Sequence, residues 1–201
     1  MTAPEREERG MDTIEAICAR RSVRQFKDKP VPREVVERLL EATVHAPSGK
    51  NRQPWRFVVV HGPRRRAEML RVMREGIENA RKAGVPLGSA EWTAAVMEHA
   101  PVTIFVLNAE STATPWEGRQ DIVDIQSIGG AVQTMCLAAL ELGLGSLWIC
   151  DVFYAYNELR QWLGTDRQMV CAVSLGYPGE SPPARARRPW QEATTWLADS
   201  V

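Results

Sequence analysis

An α+β fold in which helices outnumber strands is what this sequence predicts. Two apolar stretches with helical character, residues 31–46 and 121–142, are interspersed with short β-branched or aromatic runs at Trp55–His61 and Val102–Asn108. The bulk composition agrees. A chain of 201 residues that is 44% hydrophobic and 25% charged falls in the range of one globular domain able to bury a core.

Residues 1–10 are charged and lack an apolar h-region, so they are expected to be a flexible tail and not a signal peptide. Residues 11–201 then form a single domain with a cytoplasmic location. Residues 12–20 read as a short helix carrying Ile14, Ile17 and Cys18. In the helix over 31–46, Pro32 suits the first turn. Val35, Val36, Leu39, Leu40 and Thr43 make one face, and Pro47 stops it. Trp55–His61 is a strand bounded by Pro54 on one side and by Gly62 and Pro63 on the other. Residues 64–81 are helical, with Met69, Leu70, Met73 and Ile77 on one side; the run Arg64, Arg65, Arg66 is a solvated helix start.

Residues 82–100 hold Gly84, Pro86 and Gly88 before a short helix ending near His99. This is the most loop-like part of the chain and the expected place of a mobile substrate cover. Val102–Asn108 is a buried strand, and 109–120 a polar loop with Pro115 and Trp116. The stretch 121–142 is apolar enough to suggest a membrane span, but Asp121, Asp124, Gln126, Gln133 and Glu141 interrupt it. It reads instead as the core helix of a large protein or dimer, where Ser127, Gly129, Gly130 and Ala131 permit close backbone approach. Gly143 and Gly145 end it. A strand at 146–150, a helix at Tyr156–Leu163 and a strand at 168–177 follow, then a Pro/Arg-rich loop at 178–188 and a short terminal strand at 194–197.

Zero formal net charge and a pI near 6.8 exclude a dedicated nucleic-acid or anionic-membrane binder. The cysteines (Cys18, Cys136, Cys150, Cys171) are scattered without zinc spacing, so no metal site is expected. His45, His61 and His99 are isolated, with no nucleophile beside them. No P-loop and no post-strand GxGxxG is present. What remains is two arginine clusters near opposite ends of the chain, Arg20, Arg21, Arg24 and Arg185, Arg187, Arg188. Guanidinium forks match phosphate oxygens and stay charged at any working pH. On their own, the first cluster with Ser22 fits either a phosphate grip or a solvated basic helix end. Together the clusters suit an anionic cofactor bound at a subunit interface. Asn51 and Gln53, in a Pro-bounded loop, carry amides that could read the donor–acceptor edge of a ligand ring or simply cap a turn.

The run Arg20, Arg21, Ser22, Val23, Arg24, Gln25, Phe26, followed by Ala46, Pro47, Ser48, Gly49, Lys50, Asn51, resembles the opening of the FMN-dependent nitroreductase family, and the resemblance extends from about 11 to 196. It implies a nitroreductase-like, mostly antiparallel central sheet flanked by helices, in an intertwined homodimer whose C-terminal tails exchange an edge strand. It implies FMN at the subunit interface, with Arg20, Arg21 and Ser22 as phosphate and ribityl contacts and Arg24 near flavin N1 and O2. Pro47, Ser48, Gly49 and Asn51 match the loop given by the partner subunit, and Ser127 a contact on the central helix. Leu147, Trp148 and Ile149 match the segment whose backbone approaches N5 and O4, with Cys150 where many relatives have Gly or Glu. Arg185 and Arg187 match a second pair of phosphate contacts. The activity implied is ping-pong: NADH or NADPH gives a hydride to N5, and a nitroaromatic, quinone or similar electron-poor small aromatic acceptor takes it. No side chain need act as acid or base, and Arg24 gives electrostatic support. Two alternatives stand beside it. One is a reductive dehalogenase of the iodotyrosine deiodinase type, against which residues 75–100 contain no tyrosine. The other is a non-catalytic, regulatory flavin-binding protein on the same scaffold.

Overall fold

The computed structural model describes residues 11–111 and 119–197. The expected tail 1–10, Pro115 and Trp116, and residues 198–201 lie outside them. Six helices and four strands follow in the order α1 Thr13–Ala19, α2 Arg33–Thr43, β1 Trp55–His61, α3 Pro63–Lys82, α4 Ala90–His99, β2 Val102–Asn108, α5 Arg119–Glu141, β3 Gly145–Ile149, α6 Tyr156–Leu163 and β4 Gln168–Gly176. Single 3₁₀ turns at Gly49–Asn51, Asp151–Ala155 and Trp190–Ala193 fill connections.

The strands form one sheet in the order β1-β2-β4-β3, each neighbouring pair antiparallel. Val106 pairs with Cys171 and Leu107 with Met169, so Val170 is left over as a bulge. β2 is buried along its whole length because helices cover both faces. On one face Phe105, Leu107, Met169 and Ala172 pack with α3, α4 and α6; on the other Ile104, Val106, Cys171 and Val173 pack with α2 and α5. This period-2 partition places the sheet as the middle layer.

α5 passes a length and hydropathy test for a bilayer span, yet Ile128, Ala131, Val132, Met135 and Ala139 are fully buried against the sheet and α2. It is a core helix here. Its first half is different: Ile122 and Val123 are exposed, as are Ile14 and Ile17 on α1.

Two expectations change. α4 is no loose cover, since Ala90, Thr93, Ala94, Val96 and Met97 are buried in the core, and Asp151 accepts hydrogen bonds from Ser89 Oγ (2.7 Å) and Thr93 Oγ1 (2.5 Å). Residues 194–197 form no strand within the protomer. Thr194 is extended (φ −129°, ψ 130°), but it has no ladder partner among the described residues, and a lone extended segment is not a strand.

Candidate functional site

α1 ends at Ala19, and the chain runs on extended beside β3. Val23 N–H donates to Ser146 C=O at 2.9 Å, the centre of a parallel bridge between Ser22 and Ser146. This close approach requires Gly145, where a Cβ would stand 2.8 Å from Val23 Cβ. The segment 20–24 is thereby fixed along the outer edge of the sheet.

The other wall comes from the far end of the chain. Pro178 bridges Phe26, Tyr177 C=O accepts from Lys27 N–H (2.9 Å), and Gly179 N–H donates to Gln25 C=O (2.8 Å). Beyond these rungs the two strands of chain part around a cavity of about 610 Å³. Its lining includes Arg20, Arg21, Ser22 and Arg24 from one side and Arg185 and Arg187 from the other. Both arginine clusters thus meet in one place. None of these five arginines has a carboxylate partner among the described residues, whereas Arg33, Arg52, Arg65, Arg74 and Arg81 do. Arg20 Nε and Arg24 Nε are buried without any acceptor. Unneutralised, converging guanidinium groups at the mouth of a cavity have the chemistry of an anion site.

The arginines differ in their local bonds. Arg21 Nη1 donates to Cys18, Ala19 and Arg20 C=O at 2.7, 2.9 and 2.9 Å, closing the orphan carbonyls of α1. The helix-end reading therefore holds for Nη1 of Arg21, a residue that also lines the cavity. Arg24 Nη1 donates to Ser22 C=O at 3.0 Å, and its guanidinium carbon lies 5.1 Å from the centroid of the Trp92 ring. Trp92 stands on the solvent side of α4, 52% exposed, opposite that helix's buried face. Its only signal in the sequence is its position opposite Ala90, Thr93, Ala94 and Met97 in the helical period.

The remaining predicted residues form a second group. Pro47, Ser48, Gly49 and Asn51 sit in a loop where Lys50, Asn51 and Gln53 all have positive φ (54°, 54° and 50°), a strained cluster for non-glycine residues. The loop is held by Gly49 N–H donating to Ser127 Oγ (3.2 Å) and by Arg52 Nε to Asp124 Oδ1 (3.2 Å) on α5. Ser48 Oγ accepts from Gln53 N–H (3.0 Å), and Gln53 Nε2 donates to Asn51 Oδ1 (3.2 Å). The two amides are thus joined, leaving Gln53 Oε1 and Asn51 Nδ2 as a spare acceptor and donor. Ser127 Oγ is occupied at both ends, since it also donates to Val123 C=O at 2.8 Å. None of this group lines the arginine cavity.

In β3, Leu147 and Ile149 are buried in the core, while Trp148 and Cys150 are exposed. Beyond the Ser22 bridge the outer edge of β3 has no ladder partner among the described residues. Partial burial and then the neighbouring Asp151 carboxylate raise the Cys150 thiol from its ordinary value, although the residue as a whole is exposed.

Residues 17–177 match the nitroreductase family. The chain belongs to the nitroreductase family. Among its relatives is a protein of Methanothermobacter thermautotrophicus with the provisional name NADH dehydrogenase/NAD(P)H nitroreductase, 31% identical over 87% of this chain and 82% of the relative. An iodotyrosine deiodinase of Haliscomenobacter hydrossis is 30% identical over 80% of this chain and 77% of its own. Of solved structures, a provisionally named nitroreductase from Desulfovibrio desulfuricans in complex with FMN superposes with a TM-score of 0.71. It is 29% identical and covers 92% of this chain and 96% of that one. A nitroreductase-family fold therefore carries both groups of residues described above, the arginine cavity and the strained loop.

Proposed function

We propose that this nitroreductase-family chain is an FMN-dependent oxidoreductase that uses NADH or NADPH to reduce an electron-poor aromatic acceptor such as a nitroaromatic or quinone. The observation that carries the reading is the cavity of about 610 Å³ into which both ends of the chain bring arginines without carboxylate partners. Arg20, Arg185 and Arg187 would hold the phosphate, with Arg21 and Ser22 beside them. The main chain of Leu147, Trp148 and Ile149 would face the reacting edge of the ring. FMN, when bound, would supply the hydride relay between nicotinamide and acceptor. The protein's part is to bind, orient and polarise. Arg24 places a fixed positive charge where negative charge would develop at the pyrimidine side.

The homodimer is part of the same reading. The loop carrying Pro47, Ser48, Gly49 and Asn51 is strained and tied to the exposed first half of α5, yet it does not reach the arginine cavity of its own chain. A second copy would bring its loop, with the spare acceptor of Gln53 and donor of Asn51, to this cavity. Exposed Trp190, Trp196 and Leu197 near the C-terminus would then be covered by the partner.

A deiodinase reading has one observation behind it, the 30% identity with the Haliscomenobacter protein. Against it, α3 and α4 offer no tyrosine to grip an amino-acid substrate; the exposed aromatic there is Trp92.

The test is spectroscopic. Purified protein is expected to be yellow, to release FMN on denaturation, and to bleach anaerobically with NADH or NADPH, the colour returning on addition of a quinone or nitroarene. A colourless protein that takes up no added FMN contradicts the proposal. A yellow one that bleaches with neither nicotinamide points to a flavin-binding module. Return of colour with iodotyrosine alone favours the deiodinase.

A further inference from the structure

Glu180 does not line the arginine cavity itself; it borders a smaller one of about 170 Å³ that shares Arg20, Arg21 and Pro182 with it. A carboxylate beside guanidinium groups would ordinarily pair with one of them. Instead Glu180 Oε1 accepts from two successive main-chain amides, Arg24 N–H at 2.5 Å and Gln25 N–H at 3.0 Å, and no ion pair to an arginine forms among the described residues.

The surrounding rungs explain why a side chain is needed there. Residues 25–27 and 177–179 are joined by main-chain bonds: Lys27 N–H to Tyr177 C=O, Gly179 N–H to Gln25 C=O, and the Phe26–Pro178 bridge. The ladder does not continue: Val23 N–H, the next donor in register on that side, is already given to Ser146 C=O, and Pro182 and Pro183 beyond have no N–H to give. At the last position before the segments part, the Glu180 side chain takes over. Past it, residues 20–24 and 182–187 diverge and enclose the cavity.

We infer that Glu180 is a positioning residue, a latch at the fork of the two segments. It sets the spacing between Arg20 and the Arg185/Arg187 arm, and by spending its charge on main-chain amides it leaves the arginines free for a phosphate monoester. This rests on the FMN reading above and assigns the latch to phosphate selection within it. The consequence is specific: loss of the latch weakens ligands that carry the phosphate and spares those that lack it.

The experiment titrates apo-dimer with FMN and with riboflavin, by quenching of flavin fluorescence, for wild type, Glu180→Ala and Glu180→Gln. Hydrogen exchange is followed in peptides covering 20–27 and 178–188. Glu180→Ala is expected to lose about tenfold in FMN affinity, equivalent to about 1.4 kcal/mol, with riboflavin affinity unchanged and exchange faster in both peptides. Glu180→Gln keeps an oxygen acceptor and is expected to stay within about threefold of wild type. If Glu180→Ala keeps the wild-type ratio of FMN to riboflavin affinity, or if Glu180→Gln falls as far as Glu180→Ala, the latch is refuted. A wild type that binds neither flavin overturns the FMN reading. The latch is then decided by exchange alone, and unaltered exchange in Glu180→Ala refutes it.

Discussion

Gly49 donates its main-chain N–H to Ser127 Oγ at 3.2 Å, so the strained loop and the central helix of one chain are coupled. A Cβ at position 49 would lie 2.5 Å from Val123 Cγ1, with no room for it unless the loop moves. Gly49→Ala is therefore expected to lift the loop off α5 and lower FMN occupancy at least about tenfold, with a melting temperature a few degrees down. Unchanged occupancy in the purified variant would show that the loop has no part in the site.

Arg24 rests against the face of Trp92, a cation–π contact worth about 0.5–1 kcal/mol at an exposed position. Such a contact orients more than it binds. Trp92→Leu is expected to change FMN affinity less than about threefold, yet to make the potential of bound FMN more negative, because the Arg24 charge is no longer held in place. Arg24→Ala should shift the potential the same way and further, and slow reduction by NADH. Redox titration of the two variants checks the ordering; a Trp92→Leu shift larger than that of Arg24→Ala would contradict it.

Asp124 is nearly fully buried and accepts from Arg52 Nε (3.2 Å) and Gln120 Nε2 (3.0 Å). Arg52 Nη2 also donates to Asp124 Oδ2 (3.5 Å), so removing Arg52 takes two donors from a buried carboxylate. Arg52→Ala should cost on the order of 2 kcal/mol in urea denaturation, less than for a fully buried pair because the Arg52 side chain is a third exposed. Asp124→Asn should cost less than Arg52→Ala, since it removes the charge along with its need for a partner.

Burial raises the thiol pKa of Cys136 and, more strongly, of Cys171 above the ordinary value of 9.0. Raised folded-state values mean that the native protein holds protons the unfolded chain gives up. Their contribution is complete below the ordinary thiol range and is lost as pH rises above it. Urea midpoints are expected to fall from about pH 9 upward, and less steeply in Cys171→Ala than in wild type.

Much of this architecture is legible in the sequence because its elements are punctuated. Pro54 and Gly62 frame Trp55–His61, and the bounds of Val102–Asn108 and Tyr156–Leu163 follow from composition alone. The meeting of Arg20, Arg21 and Arg24 with Arg185 and Arg187 is foreshadowed by the family resemblance; taken alone, the two clusters read as a solvated helix end and a solvated tail. Glu180 is not legible. Its role depends on a register that sets Gln25 beside Gly179, and nothing local announces that pairing. Arg52–Asp124 and Arg24–Trp92 are hidden for the same reason. The packing of α4 is masked in the sequence because Gly84, Pro86 and Gly88 loosen only the approach to it, while Ala90, Thr93, Ala94 and Met97 give it a buried face. At 194–197 the sequence has the residues of a strand, but a strand also needs a paired neighbour, and none is found among the described residues.

The central claim is that one flavin site draws its arginines from one copy and its strained loop from another. A mixed dimer tests it most directly. One copy carries Arg20→Ala with Arg187→Ala, the other Ser48→Ala with Asn51→Ala, and bound FMN is counted per dimer by absorbance after differential tagging. Each variant homodimer is expected to bind poorly, because both of its sites carry a lesion. The mixed dimer concentrates all lesions in one site and should bind one FMN per dimer at wild-type affinity. A mixed dimer that binds no better than its parents would mean that each site is built within one chain, and the account would be wrong.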